Sequence, residues 1–184
     1  MDEPEQYDFQ RYLSAKKTVD DRALDRPVLD ELSDELGRRS DGQDPVRILE
    51  AGAGIGTMVE RMIEWQVLPE HVAYTAIDVE PANVERAVER LPEWAEDRSV
   101  TCIRRDERTF SLRGEGLRID LDWEVGDVFT YARQGADRTW DLLIAQSFLD
   151  LVNVPVRLPQ LFDLLESNGL FYFPITFDGG TIFQ

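Results

Sequence analysis

Apolar and polar positions follow one rhythm in the first forty residues of this chain and another after them, and the change outlines the fold. The first forty residues read as two helices. The second runs from about Arg26 to Leu36, with Val28, Leu29, Leu32 and Leu36 on one face, Pro27 near its first turn and Gly37 placed to end it. Then short apolar runs begin to alternate with helical ones. Val46–Glu50 reads as a strand, AGAGIG as a glycine-rich turn and Thr57–Trp65 as a helix. Ala73–Asp78 is a second strand. Pro81 opens a helix with Val84, Ala87, Val88 and Leu91 as its apolar positions, and Pro92 is predicted to close it. Residues 99–125 break the alternation. Their turn-like RDER and RGEG predict a hairpin that feeds a third core strand, Asp120–Val125. Trp140–Ala145 is a fourth strand, followed by a helix from about Pro155 to Leu165. Asn168-Gly169 is expected to stop that helix and GLFYFPITF to form a fifth strand. This order predicts an α/β fold with a doubly wound, mainly parallel sheet. Residues 1–40 form a helical lid on it, and residues 41–184 form one Rossmann-like domain.

Composition narrows the class. The 184 residues suffice for one domain with a proper core, and 42% of them are hydrophobic against 31% charged. No apolar run nears the ~20 residues of a membrane span. The acidic, polar start MDEPEQYDFQ does not read as a targeting signal. Cys102 is the single cysteine, so an internal disulfide and a cysteine zinc cluster are excluded. A soluble, cytoplasmic protein is expected. The charge is unusual, with 37 acidic residues against 20 basic ones and a formal net charge of −17. Salt screens such self-repulsion, so the acidity reads first as halophilic adaptation. It also argues against nucleic-acid partners, which require clustered Lys and Arg. Arg104, Arg105 and Arg108 are interrupted by Asp106 and Glu107 and read as a solvated hairpin turn.

In doubly wound sheets ligands bind outside the carboxyl ends of the strands. The first such end is ILEAGAGIG. Gly52, Gly54 and Gly56 permit a tight turn and close approach of a ligand to the backbone. A dinucleotide fingerprint G-x-G-x-x-G would place its third glycine at position 57, which is Thr57. Glu50 would repel a pyrophosphate but suits an ammonium group. A plain strand-to-helix connection is the alternative.

EAGAGIG resembles the first motif of the class I methyltransferases that depend on S-adenosyl-L-methionine (SAM), an acid followed by G-x-G-x-G. The later strand ends agree with that family in order and spacing, over roughly residues 46–177. The resemblance implies SAM as cofactor, held by Glu50, Ala51, Gly52, Gly54 and Gly56 of the first motif. In AIDVEP it implies Asp78 on the ribose hydroxyls and Val79 on the adenine face. In EVGDVF it implies Asp127 on the adenine amino group and the Val128 backbone on the ring edge. WDLLIAQSFLDLV would turn Ala145, Gln146 and Ser147 toward the methylthio end, and NGLFYF matches the fifth-strand region. Asp78 as a solvated strand end, and Asp127 as a turn former or helix cap, remain open. The family continues past the fifth strand with a helix and two more strands. Here the chain ends at Phe183-Gln184, so the fold is expected to be C-terminally short, with the fifth-strand edge free to pair in a homodimer.

Methyl transfer from a sulfonium needs alignment of the acceptor, exclusion of water and, for some acceptors, removal of a proton. Asp150 is the nearest carboxylate and the one candidate base, with solvent exposure or helix capping as its other roles. Tyr7, Tyr12, Lys16, Asp20 and Arg22 sit where a lid would fold over the cofactor, although packing explains the tyrosines equally well. His71 and Asp141 read as surface and turn residues. No His/carboxylate cluster suggests a metal, no Pro-Cys nucleophile is present, and the fourth-strand exit lacks an Asn/Asp-Pro-Pro-aromatic signature. A small-molecule acceptor is expected. A SAM- or nucleotide-binding protein without catalysis and an NAD-binding oxidoreductase are the alternatives.

Overall fold

The structure is a computed structural model that describes residues 9–40, 44–134 and 139–176. Tyr7 and the chain beyond Thr176, including the end of the predicted fifth strand, lie outside the described residues. The elements in chain order are α1 (Phe9–Ala23), α2 (Arg26–Arg39), β1 (Val46–Ala51), α3 (Thr57–Glu64), β2 (His71–Asp78) and α4 (Pro81–Glu96). Then come β3 (Thr101–Arg104), β4 (Thr109–Gly114), β5 (Leu117–Val125), α5 (Val128–Gln134), β6 (Trp140–Ile144), α6 (Val154–Phe162) and β7 (Leu165–Tyr172).

One sheet holds all seven strands in the order β3-β4-β5-β2-β1-β6-β7. Its five-strand body, β5-β2-β1-β6-β7, is parallel. β3 and β4 are antiparallel and extend it beyond β5, which is the inserted hairpin expected from RDER and RGEG. Alternate residues of a strand face opposite sides, so β1 feeds two cores. Val46 and Ile48 pack with α2, α3 and α4 through Leu36, Met62 and Val84. Leu49 and Ala51 pack with α5 and α6 through Phe129 and Leu161. The α/β, doubly wound, mainly parallel architecture is therefore present. No helix among the described residues is long and apolar enough to cross a membrane.

Several boundaries differ from the sequence reading. α2 runs through Gly37 to Arg39, because Arg38 and Arg39 both pair with Glu35 across the last turn. α4 continues past Pro92 to Glu96. An interior proline costs about 3 kcal/mol, but Leu91, Trp94 and Ala95 around it are all buried, and that packing holds the helix together. α5 was not anticipated. Asn168-Gly169 does not end α6, which stops at Phe162. Instead, Leu165 already pairs with Trp140, and the register then jumps so that Leu170 pairs with Leu142. Asn168 takes φ 67° within that bulge. β7 therefore spans Leu165–Tyr172, earlier than predicted, and Pro174, with no N–H to donate, lies past its end.

Candidate functional site

The carboxyl ends of β1, β2, β5 and β6 open into a cavity of about 960 Å³, with α1 forming another wall. The glycine turn is its floor. Gly52, Gly54 and Gly56 have φ of 69°, 56° and 84°, a region that glycine enters without strain. Their approach to neighbours is also tight. A Cβ at Gly52 would lie 2.7 Å from the Phe148 ring, and one at Gly56 would lie 2.6 Å from Trp123.

Four N–H groups of this turn are already committed. Gly52 and Ala53 donate to the Ile77 carbonyl at 2.9 and 3.0 Å, and Gly56 donates to the Ala53 carbonyl at 3.0 Å. Gly54 donates to Asp78 Oδ2 at 2.7 Å. Asp78 Oδ1 accepts from the Glu80 N–H at 2.9 Å and from Asn83 Nδ2 at 3.1 Å. Asp78 thus fastens the first strand's turn to the end of the second strand, and its side chain borders the cavity. Val79, 71% exposed, projects at the rim.

At the end of β5, Asp127 Oδ1 accepts from the Thr130 N–H at 2.8 Å and caps α5, while the residue still borders the cavity beside Val128. Glu50 is nearly sealed at the end of β1, where its Oε2 accepts from the Tyr74 hydroxyl at 2.7 Å. Burial pushes its carboxyl up to about 8, against the pull of the Tyr74 hydroxyl and of Arg61. Beyond β6, Gln146 donates to Asp20 Oδ2 at 3.1 Å and accepts from Arg61 Nη1 at 2.9 Å.

No protein-family model matches this chain, and no curated protein matches it in sequence. Solved structures do match its shape. A protein of Methanococcus maripaludis described as a SAM-dependent methyltransferase shares 14% identity, with a TM-score of 0.52 over 95% of this chain and 67% of its own. A SAM-dependent methyltransferase from Agrobacterium tumefaciens shares 12% identity, with a TM-score of 0.51 over 80% of this chain and 42% of its own. The plantazolicin methyltransferase BpumL, solved with a desmethyl-plantazolicin analogue and S-adenosylhomocysteine (SAH), shares 18% identity, with a TM-score of 0.51 over 89% of this chain and 51% of its own. This chain has the class I methyltransferase fold. It spans about half the length of two of these three neighbours.

On that fold, ten of the sequence-predicted positions border one cavity: Glu50, Gly52, Gly54, Asp78, Val79, Asp127, Val128, Gln146, Ser147 and Asp150. Ala51 and Gly56 do not. Ala51 is fully buried in the sheet core, and Gly56 lies against the Trp123 ring below the turn. Asp150 is exposed on a one-turn helix, Leu149–Leu151. It does not cap α6, whose N-cap is Asn153. Tyr12, Lys16 and Asp20 border the cavity, whereas Arg22 is outside its lining. Sequence reasoning missed Arg61, Asn83 and Phe148. Arg61 is fully buried, donating to Asp21 Oδ1 at 2.5 Å, Thr57 Oγ1 at 3.2 Å and the Lys17 carbonyl at 3.2 Å. No local signal in α3 singles Arg61 out, since Glu60 beside it is charged and buried as well.

Proposed function

We propose that this protein binds SAM and transfers its methyl group to a small-molecule acceptor. One observation carries the reading: the glycine turn spends four of its N–H groups internally, and carboxylates line the cavity around it. A phosphate site needs free N–H groups and few acids. Here Gly52, Ala53, Gly54 and Gly56 have no N–H to offer, while Asp78, Glu80, Asp127 and Asp150 border the cavity. That wall disfavours a pyrophosphate and suits a cationic, diol-bearing ligand. A dinucleotide cofactor is accordingly the weaker reading. The fold shared with BpumL, which holds SAH in its solved complex, supports the same cofactor.

In this reading Asp78 accepts from the ribose hydroxyls through lone pairs that its three protein bonds leave free. Val79 and Val128 bracket the adenine, Asp127 accepts from its amino group, and Glu50 and Gln146 lie toward the sulfonium end. The cofactor supplies an electrophilic methyl on a good leaving group. Transfer to an acceptor's lone pair would leave the electrons of the carbon–sulfur bond on sulfur. The protein's part is alignment and exclusion of water, for which Phe148 over the turn and α1 across the cavity are placed. Asp150 is the carboxylate available to take a proton from a protic acceptor.

Calorimetry with SAH and with NAD tests the cofactor. SAH should bind and NAD far more weakly. Asp78→Ala should lower SAH affinity roughly tenfold or more, since charge-assisted hydrogen bonds are worth ~1.5–3 kcal/mol. Unchanged affinity in the variant would remove Asp78 from the site. Tritiated-methyl transfer to a panel of small acceptors then separates an enzyme from a binding protein.

A further inference from the structure

We infer that Lys16 and Asp20, one turn apart on α1, recognise the zwitterionic amino-acid end of the cofactor, Asp20 taking the ammonium and Lys16 the carboxylate. The inference rests on the SAM reading above and extends it to the helix that covers the site.

Asp20 is the starting point because half of its carboxylate has no hydrogen-bond partner. The residue is only 6% exposed and borders the cavity. Its Oδ2 accepts from Gln146 Nε2 at 3.1 Å and lies 3.8 Å from Arg61 Nη2. Its Oδ1 is buried without a hydrogen bond, and Lys16 Nζ lies 3.5 Å away as an ion pair. A buried carboxylate oxygen in that state calls for a donor, and an ammonium arriving in the cavity would supply one.

Lys16 is the second observation. Among the described residues that border the cavity it is the one cationic side chain, and the acidic ones there are all Asp or Glu. A ligand carboxylate therefore has a single favourable position, beside Lys16. Residues four apart on a helix share a face, so the two charges of an α-amino acid would meet opposite charges already held side by side.

Position across the sheet agrees. Gln146, which orients Asp20, follows β6, and Asp78 ends β2, with β1 between them. Neighbouring strands lie ~4.8 Å apart, so the strand ends that carry Asp78 and Gln146, the partner of Asp20, are separated by roughly 10 Å. That is the span between the sugar and the amino-acid tail of an extended SAM molecule. Glu50 lies between them. Burial keeps its carboxyl protonated near neutral pH, so it adds polarity without a second negative charge to compete with Asp20.

Three ligands separate this assignment from a general effect on the lid. SAH carries both charges, decarboxylated SAM lacks the carboxylate, and 5′-methylthioadenosine lacks the whole amino-acid tail. Calorimetry is run on the native chain and on Asp20→Asn and Lys16→Gln. Asp20→Asn should weaken SAH and decarboxylated SAM by roughly tenfold and leave methylthioadenosine within about twofold. Lys16→Gln should weaken SAH alone. Equal losses for all three ligands would overturn the assignment, because α1 would then act only as a cover. Unchanged SAH binding in both variants would overturn it as well. A native chain that binds none of the three would instead sink the cofactor reading, and this inference with it.

Discussion

α1 and α2 follow one another in the chain, have 15 and 14 residues, and are both rich in charge, yet they are attached to the sheet by opposite means. α2 inserts Leu29, Leu32 and Leu36 into the larger core, and its Arg26 guanidinium lies 3.4 Å above the Trp65 ring. Among the described side chains of α1 the buried one is an aspartate, Asp20. α1 is held by Arg61, by the Lys17 pair with Glu64 Oε2 at 3.2 Å, and by the Asp20–Gln146 bond. Apolar burial is indifferent to pH and to ligands. A charge network responds to both, and it is the α1 network that borders the cavity. The difference makes the hold on one helix a matter of packing and the hold on the other a matter of charge.

The largest expected effect breaks the α2 side. Leu36 is completely buried, so Leu36→Ala should lower global stability by about 2–5 kcal/mol in a denaturant titration. SAH affinity measured well below the midpoint should change little. A loss under 1 kcal/mol would show that α2 is a cover as well.

Arg61→Met attacks the α1 side. It strips charged partners from Asp20 and Asp21 and should cost about 1.5–3 kcal/mol. Hydrogen exchange should show the loss concentrated in α1, with α2 still protected. Uniform loss in both helices would erase the contrast.

A pH series sharpens it. Glu50 keeps its proton in the folded chain up to about pH 8, while its ordinary value is 4.5. The unfolded chain therefore releases a proton first, and stability falls as pH rises between those values. Tyr74, Arg61, Asp78 and Glu60 are the ionisable groups acting on it. Glu50→Gln mimics the protonated form, so the variant should melt several degrees higher than the native chain at pH 8 and equally at pH 4.5. Matching melting curves at both values would refute buried, neutral Glu50.

The smallest effect concerns salt. Raising KCl to 1 M shortens the Debye length to ~3 Å and screens the repulsion of a −17 chain. The melting temperature should rise, but exchange protection should rise more in α2 than in α1, whose Lys16 and Lys17 pairs are screened too. A melting temperature independent of KCl would contradict the halophilic reading of the charge.

What the sequence shows and hides follows from the range of the forces involved. The run ILEAGAGIG, the acid Asp78 that ends the second strand and the two hairpin turns are local signals, and each stands where it was expected. Pro92 and Asn168-Gly169 are local signals too, but distant packing overrides them. Leu91, Trp94 and Ala95 hold α4 together around a proline, and the pairing of Leu165 with Trp140 turns an apparent helix stop into a bulge inside β7. Arg61 had little chance of being found. Its partners Lys17, Asp21 and Gln146 lie 44, 40 and 85 positions away in the chain. Nothing in α3 itself says that its arginine points toward another helix.

Trp123 has an optical consequence. Its ring packs against Gly56 beneath the turn, 2% exposed, with an indole N–H that finds no partner. The other three tryptophans stand elsewhere: Trp65 under Arg26, Trp94 bonded to Glu64 and Trp140 beside Tyr131. The glycine turn therefore rests on a single fluorophore in a dry, unbonded setting, where emission is displaced to the blue. A ligand that shifts the turn by a fraction of an ångström changes that setting, because Trp123 is the tryptophan packed against Gly56. With Trp65, Trp94 and Trp140 replaced by phenylalanine, the protein would report occupancy of its own site in emitted light, with no label attached.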